Sequence, residues 1–257
     1  MTALVQSARM TRRHLLTLVR EPWLVSVSLV QPIIWLLLFG ALFHRVVEIP
    51  GFGGGDYLTF LTPGIVMLNA VFGGGWSGMS IVQDIEQGVL DRFLVTPVRR
   101  GALMSGLLGY QAITIAVQAL IIVAIGLAGG ARFAHPGFGL PVLVLASVLL
   151  AVGFASLSNT IALLLRRQES VIATVQFLAL PLTFLSSAMM RQDLAASWVR
   201  DVARFNPVNW AVSAGRDALS TTVDLGTLLS HLGWLAAFAV VCGWLSVRAF
   251  ASYQRSA

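Results

Sequence analysis

Six long windows of this chain contain no Asp, Glu, Arg or Lys: residues 22–44, 57–83, 101–131, 133–165, 170–190 and 225–247. The shortest has 21 residues. At about 1.5 Å per residue, that length crosses a hydrocarbon core of roughly 30 Å. Lipid offers no partner for backbone N–H and C=O groups, so each window predicts a transmembrane helix. A buried helix of a soluble protein could mimic one window, but not six in 257 residues. Charged residues make up 11% of the chain, against roughly 25% in soluble domains, too few to cover a water-facing surface. The expected fold is all-α integral membrane with six transmembrane helices in one domain over 1–257. Spans are placed near 23–43, 57–83, 101–129, 139–165, 170–190 and 226–248.

An even number of spans puts both termini on one side, and arginine placement says which. That side collects Arg9, Arg12, Arg13, Arg20, Arg92, Arg99, Arg100, Arg166, Arg167, Arg248 and Arg255, against five acids. The opposite side holds six arginines and six acids. The positive-inside bias therefore makes both termini cytoplasmic. Arginine without lysine points to a GC-rich genome and so to a bacterial plasma (inner) membrane. The arginines are spread over short loops, which reads as topology and an anionic lipid surface, with no nucleic-acid partner. Cys242, inside an apolar window, reads as a packing thiol. The apolar stretch after Arg20 is longer than the roughly 7–15 residues of a signal-peptide core, so no cleaved leader is expected.

Two regions outside the spans carry amphipathic patterns. In 1–21, Leu4, Ala8, Leu15, Leu18 and Val19 fall near one helical face and Arg9, Arg13 and Arg20 on another, the composition of an interfacial helix on an anionic leaflet. In 191–224, Trp198, Val202 and Phe205 are spaced for one helix face, Asn206-Pro207 breaks it, and Trp210, Ala214 and Asp217 follow. Four arginines and four acids cancel in that stretch. This suits short helices half sunk in the outer leaflet with their charges paired at headgroup level.

Several chemistries are excluded. Walker A requires a lysine on the phosphates, and this chain has none. Gly73-Gly74-Gly75 lies inside a span, where small residues let helices approach closely. Asp56, Glu169 and Asp224 sit at span ends, whereas ion-coupled carriers need ionisable groups at membrane depth. His14, His44, His135 and His231 are scattered, without metal-ligand spacing, and no G-x-S-x-G is present.

One charged stretch, 83–100, interrupts the lipid-adapted pattern on the cytoplasmic side. Ile85, Val89 and Phe93 recur on one helical face, widened by Leu90 and Leu94; Asp84, Glu86, Gln87, Asp91 and Arg92 lie mostly on the other. Gly88 suits a bend and Pro97 a stop, which predicts a helix end, a turn, and a short helix over about 89–96. A rigid surface helix between two spans can pass a push from a soluble partner to both.

At these residues, Glu86 to Arg100, the chain resembles the E-x-G-T-L-E-R-L-L-x-T-P-V-x-R stretch of ABC-2 type transporter permeases, in particular the daunorubicin-resistance branch. Pro181 to Ser187, and Phe205-Asn206-Pro207-Val208-Asn209-Trp210 followed by Arg216-Asp217-Ala218-Leu219, are similar as well. Val89 stands in place of Thr, Asp91 in place of Glu, and Ser187-Ala188-Met189 in place of the commoner Ser-Gly step. The resemblance implies half of a dimeric membrane unit, with a second identical or related permease subunit and a separate ATP-binding subunit under each half. ATP and Mg would be held by those subunits, and no cofactor by this chain. Residues 84–98 become the coupling region, with Glu86, Gly88, Val89, Leu90, Asp91, Arg92, Phe93, Leu94 and Pro97 meeting the ATPase, together with Arg9 and Arg13 of the interfacial helix. No catalytic or metal-binding residue is expected.

Polar or aromatic residues at span depth are Gln31, Asn69, Phe72, Gln111, Gln118, Asn159, Gln176, Phe177 and Phe184. The resemblance favours spans two and five as cargo walls, hence Asn69, Phe72, Gln176, Phe177 and Phe184. Interhelical hydrogen bonding or packing explains each equally well. The expected function is export of amphipathic small molecules or lipid-like cargo by alternating access. The alternatives are an ion-coupled carrier, a glycan-exporting permease and a membrane scaffold or enzyme.

Overall fold

The computed structural model describes residues 11, 22–45, 56–88, 100–192 and 195–256, all helical or in connecting turns. The elements are α1 (Pro22–Leu42), α2 (Tyr57–Gly75), α3 (Ser77–Glu86), α4 (Arg100–Ala128), α5 (Pro136–Leu165), α6 (Gln168–Phe184), α7 (Ser197–Ala203), α8 (Pro207–Leu219) and α9 (Leu225–Ser256). Four helical stretches are long and apolar enough to cross a membrane: Tyr57–Glu86, Met104–Ala128, Pro136–Leu165 and Leu225–Tyr253. The fold is therefore that of an all-helical membrane protein. α1 adds an apolar helix of 21 residues.

The fifth window behaves differently from the expectation. α6 is helical for 17 residues and stops at Phe184, short of residue 190. Beyond it, Leu185 N–H still donates to Pro181 O at 2.8 Å, while the Ser186 hydroxyl folds back onto Thr183 O at 2.6 Å. Serine hydroxyls that bond nearby backbone offer an alternative to the helix ladder. Irregular backbone is tolerated here because its polar groups are covered by α8.

The long α5 is the centre of the bundle and packs against α9, α8, α2, α4 and α3. Its 30 residues span about 45 Å. Pro136 opens it, where a missing N–H costs nothing, and Arg166 closes it in the left-handed region at φ 53°. Two hydrophobic cores form around it. The larger takes Leu61, Ile65, Ile122, Leu143, Leu150, Val212 and Leu235; the smaller takes Ile81, Val82, Met104, Leu163, Val171 and Phe250. α4, α5, α6 and α9 run through both cores as continuous helices. The second span instead divides at Trp76, α2 contributing to the larger core and α3 to the smaller.

Candidate functional site

The division at Trp76 follows from the glycine run. At Gly74, a Cβ would lie 2.5 Å from Ala151 O of α5, so only glycine lets the helices meet this closely. The break frees backbone groups, and Ser158 of α5 takes them up. Its Oγ accepts from Gly78 N–H at 3.0 Å and its hydroxyl donates to Gly75 O. One side chain therefore pins the joint, at a position buried from solvent.

The indole of Trp76 also lines a cavity of about 200 Å³ between α1, α2 and α4. Val27, Ser28, Gln31 and Trp35 form one wall, Asn69 and Phe72 the other, and Gln118 of α4 closes the back. A hydrogen-bond chain crosses it: Asn69 Nδ2 donates to Gln118 Oε1 at 2.8 Å, and Gln118 Nε2 donates to Ser28 Oγ at 2.8 Å. No lining side chain is ionisable. The cavity can hold a neutral group with hydrogen-bonding capacity against aromatic walls.

Below the joint, α3 runs to the charged stretch. Glu86 is its last residue, and Glu86 Oε2 accepts from Gln168 Nε2 at 3.0 Å, tying the end of α3 to the start of α6. Gly88, at φ +64°, bends the chain through the left-handed region, and its N–H donates to Ile85 O at 3.0 Å. Val89, Leu90, Asp91, Arg92, Phe93, Leu94 and Pro97 lie outside the described residues, as do Arg9 and Arg13. Of the N-terminal segment, Thr11 is described; its hydroxyl donates to Gly106 O of α4 at 3.0 Å.

At the other end, α8 clamps the segment that follows α6. Asn206 caps α8 by accepting from Val208 N–H at 2.9 Å, and its amide donates to Leu182 O at 2.6 Å. Asn209 Oδ1 accepts from Ser187 N–H and Gln192 Nε2. Arg216 donates to Ser187 O at 2.5 Å, Ala188 O at 2.9 Å and Phe60 O at 3.0 Å, with its guanidinium 3.6 Å from the Phe60 ring centre. Burial lowers the guanidinium to about 9, while Tyr57 and Asp217 pull it back up, so it stays charged at neutral pH. This corrects the expectation that the charges of 191–224 pair at headgroup level. Arg204 and Asp201 do approach, at 3.9 Å and well exposed, but Arg216 serves carbonyl oxygens. A planar fork of donors suits that task better than any other side chain.

The expected cargo residues separate into two groups. Asn69 and Phe72 line the cavity, while Gln176, Phe177 and Phe184 do not. α6 buries Val171, Val175 and Ala179 at helical spacing, which turns Phe177 and Phe184 outward at 78% and 65% exposure. Within one chain, spans two and five therefore share no wall of this cavity; the first and third spans supply its other sides. Gln31 and Gln118 were visible as polar residues at span depth, but their convergence depends on helix packing. Ser158 carried no signal among so many serines.

The described fold and these sites can be set beside known proteins. The ABC-2 type transporter family matches residues 5–219. A protein of Cyanophora paradoxa described as transport permease ycf38 is 30% identical over 227 residues, covering 88% of this chain and 74% of that protein. The daunorubicin resistance ABC transporter permease protein DrrB1 of Streptomyces coeruleorubidus is 29% identical over 219 residues, 81% of this chain and 74% of that one. A Mycobacterium tuberculosis protein described as doxorubicin resistance ABC transporter permease DrrC is 23% identical over 237 residues, 92% of this chain and 85% of that one. The chain is a membrane protein that belongs to the ABC-2 type transporter family.

Proposed function

We propose that this chain is the membrane-spanning permease subunit of an ATP-driven exporter. It has six spans and cytoplasmic termini in a bacterial plasma membrane. Two copies of a separate ATP-binding subunit, which hold ATP and Mg, drive it together with a second permease subunit. Amphipathic small molecules are its cargo, as the names of its drug-resistance relatives suggest.

One observation carries the reading. Trp76 both lines the cavity and marks the break from which α3 runs to Glu86 and the coupling stretch. A push on residues 89–96 from closing ATPases is passed through α3 to the Gly75–Gly78 joint, and so reshapes a cavity wall. Two arrangements of that joint would give alternating access. The bond from Gln168 to Glu86 carries the same push to α6. No ATP site is needed on this chain, since its absent lysine excludes a Walker A loop.

The test uses vesicles containing the permease with its co-purified ATPase. Phe93→Asp places a charge in the apolar face expected to meet the ATPase. Export should fall at least about tenfold, a loss of ~1.4 kcal/mol of coupling, while ATP hydrolysis and membrane insertion persist. Undiminished export by this variant overturns the coupling role of the stretch.

A further inference from the structure

We infer that the cavity between α1, α2 and α4 is a recognition site for the uncharged polar head of an amphipathic molecule, entered sideways from the lipid. Its placement rests on the permease reading for the direction of travel only; binding needs no partner subunit.

The location comes first. Val27 and Gln31 are exposed on α1 at the mouth of the cavity, on a surface that would meet lipid once this apolar helix sits in a membrane. They lie in the half of α1 nearer Pro22, which is the cytoplasmic half in the proposed orientation. A molecule dissolved in the inner leaflet reaches this mouth without passing through water.

The chemistry of the lining selects what enters. Asn69, Gln118 and Ser28 already hold one another in a continuous hydrogen-bond chain. Gln31 is different: its amide has no protein partner among the described residues, although it stands on a helix adapted to lipid. A primary amide facing hydrocarbon loses its hydrogen bonds with water, a cost that a bound hydroxyl, carbonyl or amide removes. An ion in the same place would find no counter-charge, because the lining contains none, and a desolvated ion without a partner is far costlier than a neutral group. The cavity therefore excludes a charged head and accepts a neutral one.

Size sets the remaining limit. A dry cavity of about 150 Å³ admits benzene. The roughly 200 Å³ here holds one ring with a polar substituent, between the indoles of Trp35 and Trp76, while the rest of the molecule stays in lipid. Offset stacking on these aromatic faces adds to the recognition.

The experiment uses the full chain in lipid nanodiscs and three benzophenone photoprobes with one common body. One carries a primary amide, one a carboxylate and one a quaternary ammonium. Labelled peptides are located by mass spectrometry. The amide probe should label within 27–35 or 65–76, and both charged probes at least about tenfold less. Gln31→Leu should lower amide labelling about tenfold, the worth of one hydrogen bond at a buried polar group. Gln31→Glu should reverse the preference, so that the ammonium probe labels best. Gln31 lies on the surface of the cavity, so neither variant disturbs the packed core. Equal labelling by the three probes, labelling confined to α6, or a crosslink from this wall to a second copy of the chain each overturns the proposal. Loss of ATP-driven export with labelling intact would instead overturn the permease reading and leave the site standing.

Discussion

The two cores of this bundle share four continuous helices yet are held in different ways. Around the larger core, α8 fixes the segment after α6 through Asn206, Asn209 and Arg216, and at least seven hydrogen bonds from these three side chains are resolved. Around the smaller core, Ser158 pins the broken second span, and an exposed hydrogen bond from Gln168 to Glu86 joins α3 to α6 beside their apolar packing. Asn159, one residue from that pin, is fully buried with neither amide atom partnered. Buried polar atoms are nearly always satisfied, so an orphan marks a place that another packing would suit better. The contrast teaches where such a protein stores rigidity and where it permits movement. Among the described residues, polar ties are dense around α8 and sparse around the joint between α2 and α3.

The strongest way to break the comparison is to remove the clamp. Arg216→Leu leaves the carbonyls of Phe60, Ser187 and Ala188 without their donor and deletes the contact with the Phe60 ring. Roughly 1 kcal/mol for each of the three carbonyls, plus about 1–2 for the ring contact, predicts a loss of ~4–5 kcal/mol. Thermal unfolding of the protein in detergent should show it, with Arg216→Lys intermediate because an ammonium reaches fewer of the carbonyls. If Arg216→Leu unfolds like the parent, the larger core does not depend on the clamp.

A smaller effect is expected at the joint. Ser158→Ala orphans Gly78 N–H and Gly75 O, at a cost of about 2 kcal/mol. Hydrogen exchange should rise locally over residues 73–80, whereas Arg216→Leu should raise it throughout the larger core. Uniform exchange in both variants would mean that the cores unfold as one unit and that the break is no hinge.

What was legible in the sequence follows the same division. Four of the expected spans return as helices long and apolar enough to cross a membrane, and they were legible because lipid imposes a local rule, an uncharged run of sufficient length, that needs no knowledge of neighbours. Asn206-Pro207 was legible as a break between two helices for an equally local reason, since proline cannot continue the first; that Asn206 also caps α8 came from the structure. The role of Arg216 was not legible. Its three acceptors lie on Phe60, Ser187 and Ala188, and nothing local distinguishes a guanidinium aimed at carbonyls from one aimed at Asp217. The cavity was half legible: Asn69 and Phe72 stood out on one helix, but the partners supplied by α1 and α4 depend on how three helices rotate against one another. The early end of α6 was missed because Pro181 lies within the helix and left no sign that the turn after Phe184 would be taken up by α8.

The smallest expected effect separates buried from exposed polar ties at the same end of the molecule. Asp224 stands just before α9; its carboxylate accepts from Gly226 N–H at 3.0 Å and from the Thr227 hydroxyl at 2.6 Å, in solvent. The Thr227 hydroxyl first, and then the backbone N–H groups of Gly226 and Thr227, hold its pKa below the usual carboxylate value. A carboxyl whose folded pKa is depressed stabilises the fold above its unfolded pKa, about 3.9, and loses that contribution as pH falls through the folded value. Asp224→Asn should therefore melt slightly below the parent at pH 5 to 7, and the gap should close below about pH 4. The deficit of Arg216→Leu should persist over the same range and shrink only as Asp217, which pairs electrostatically with Arg216, becomes protonated, because a guanidinium near 9 does not itself titrate there. A gap for Asp224→Asn that persists at low pH would assign the effect to lost geometry at the helix start and not to charge.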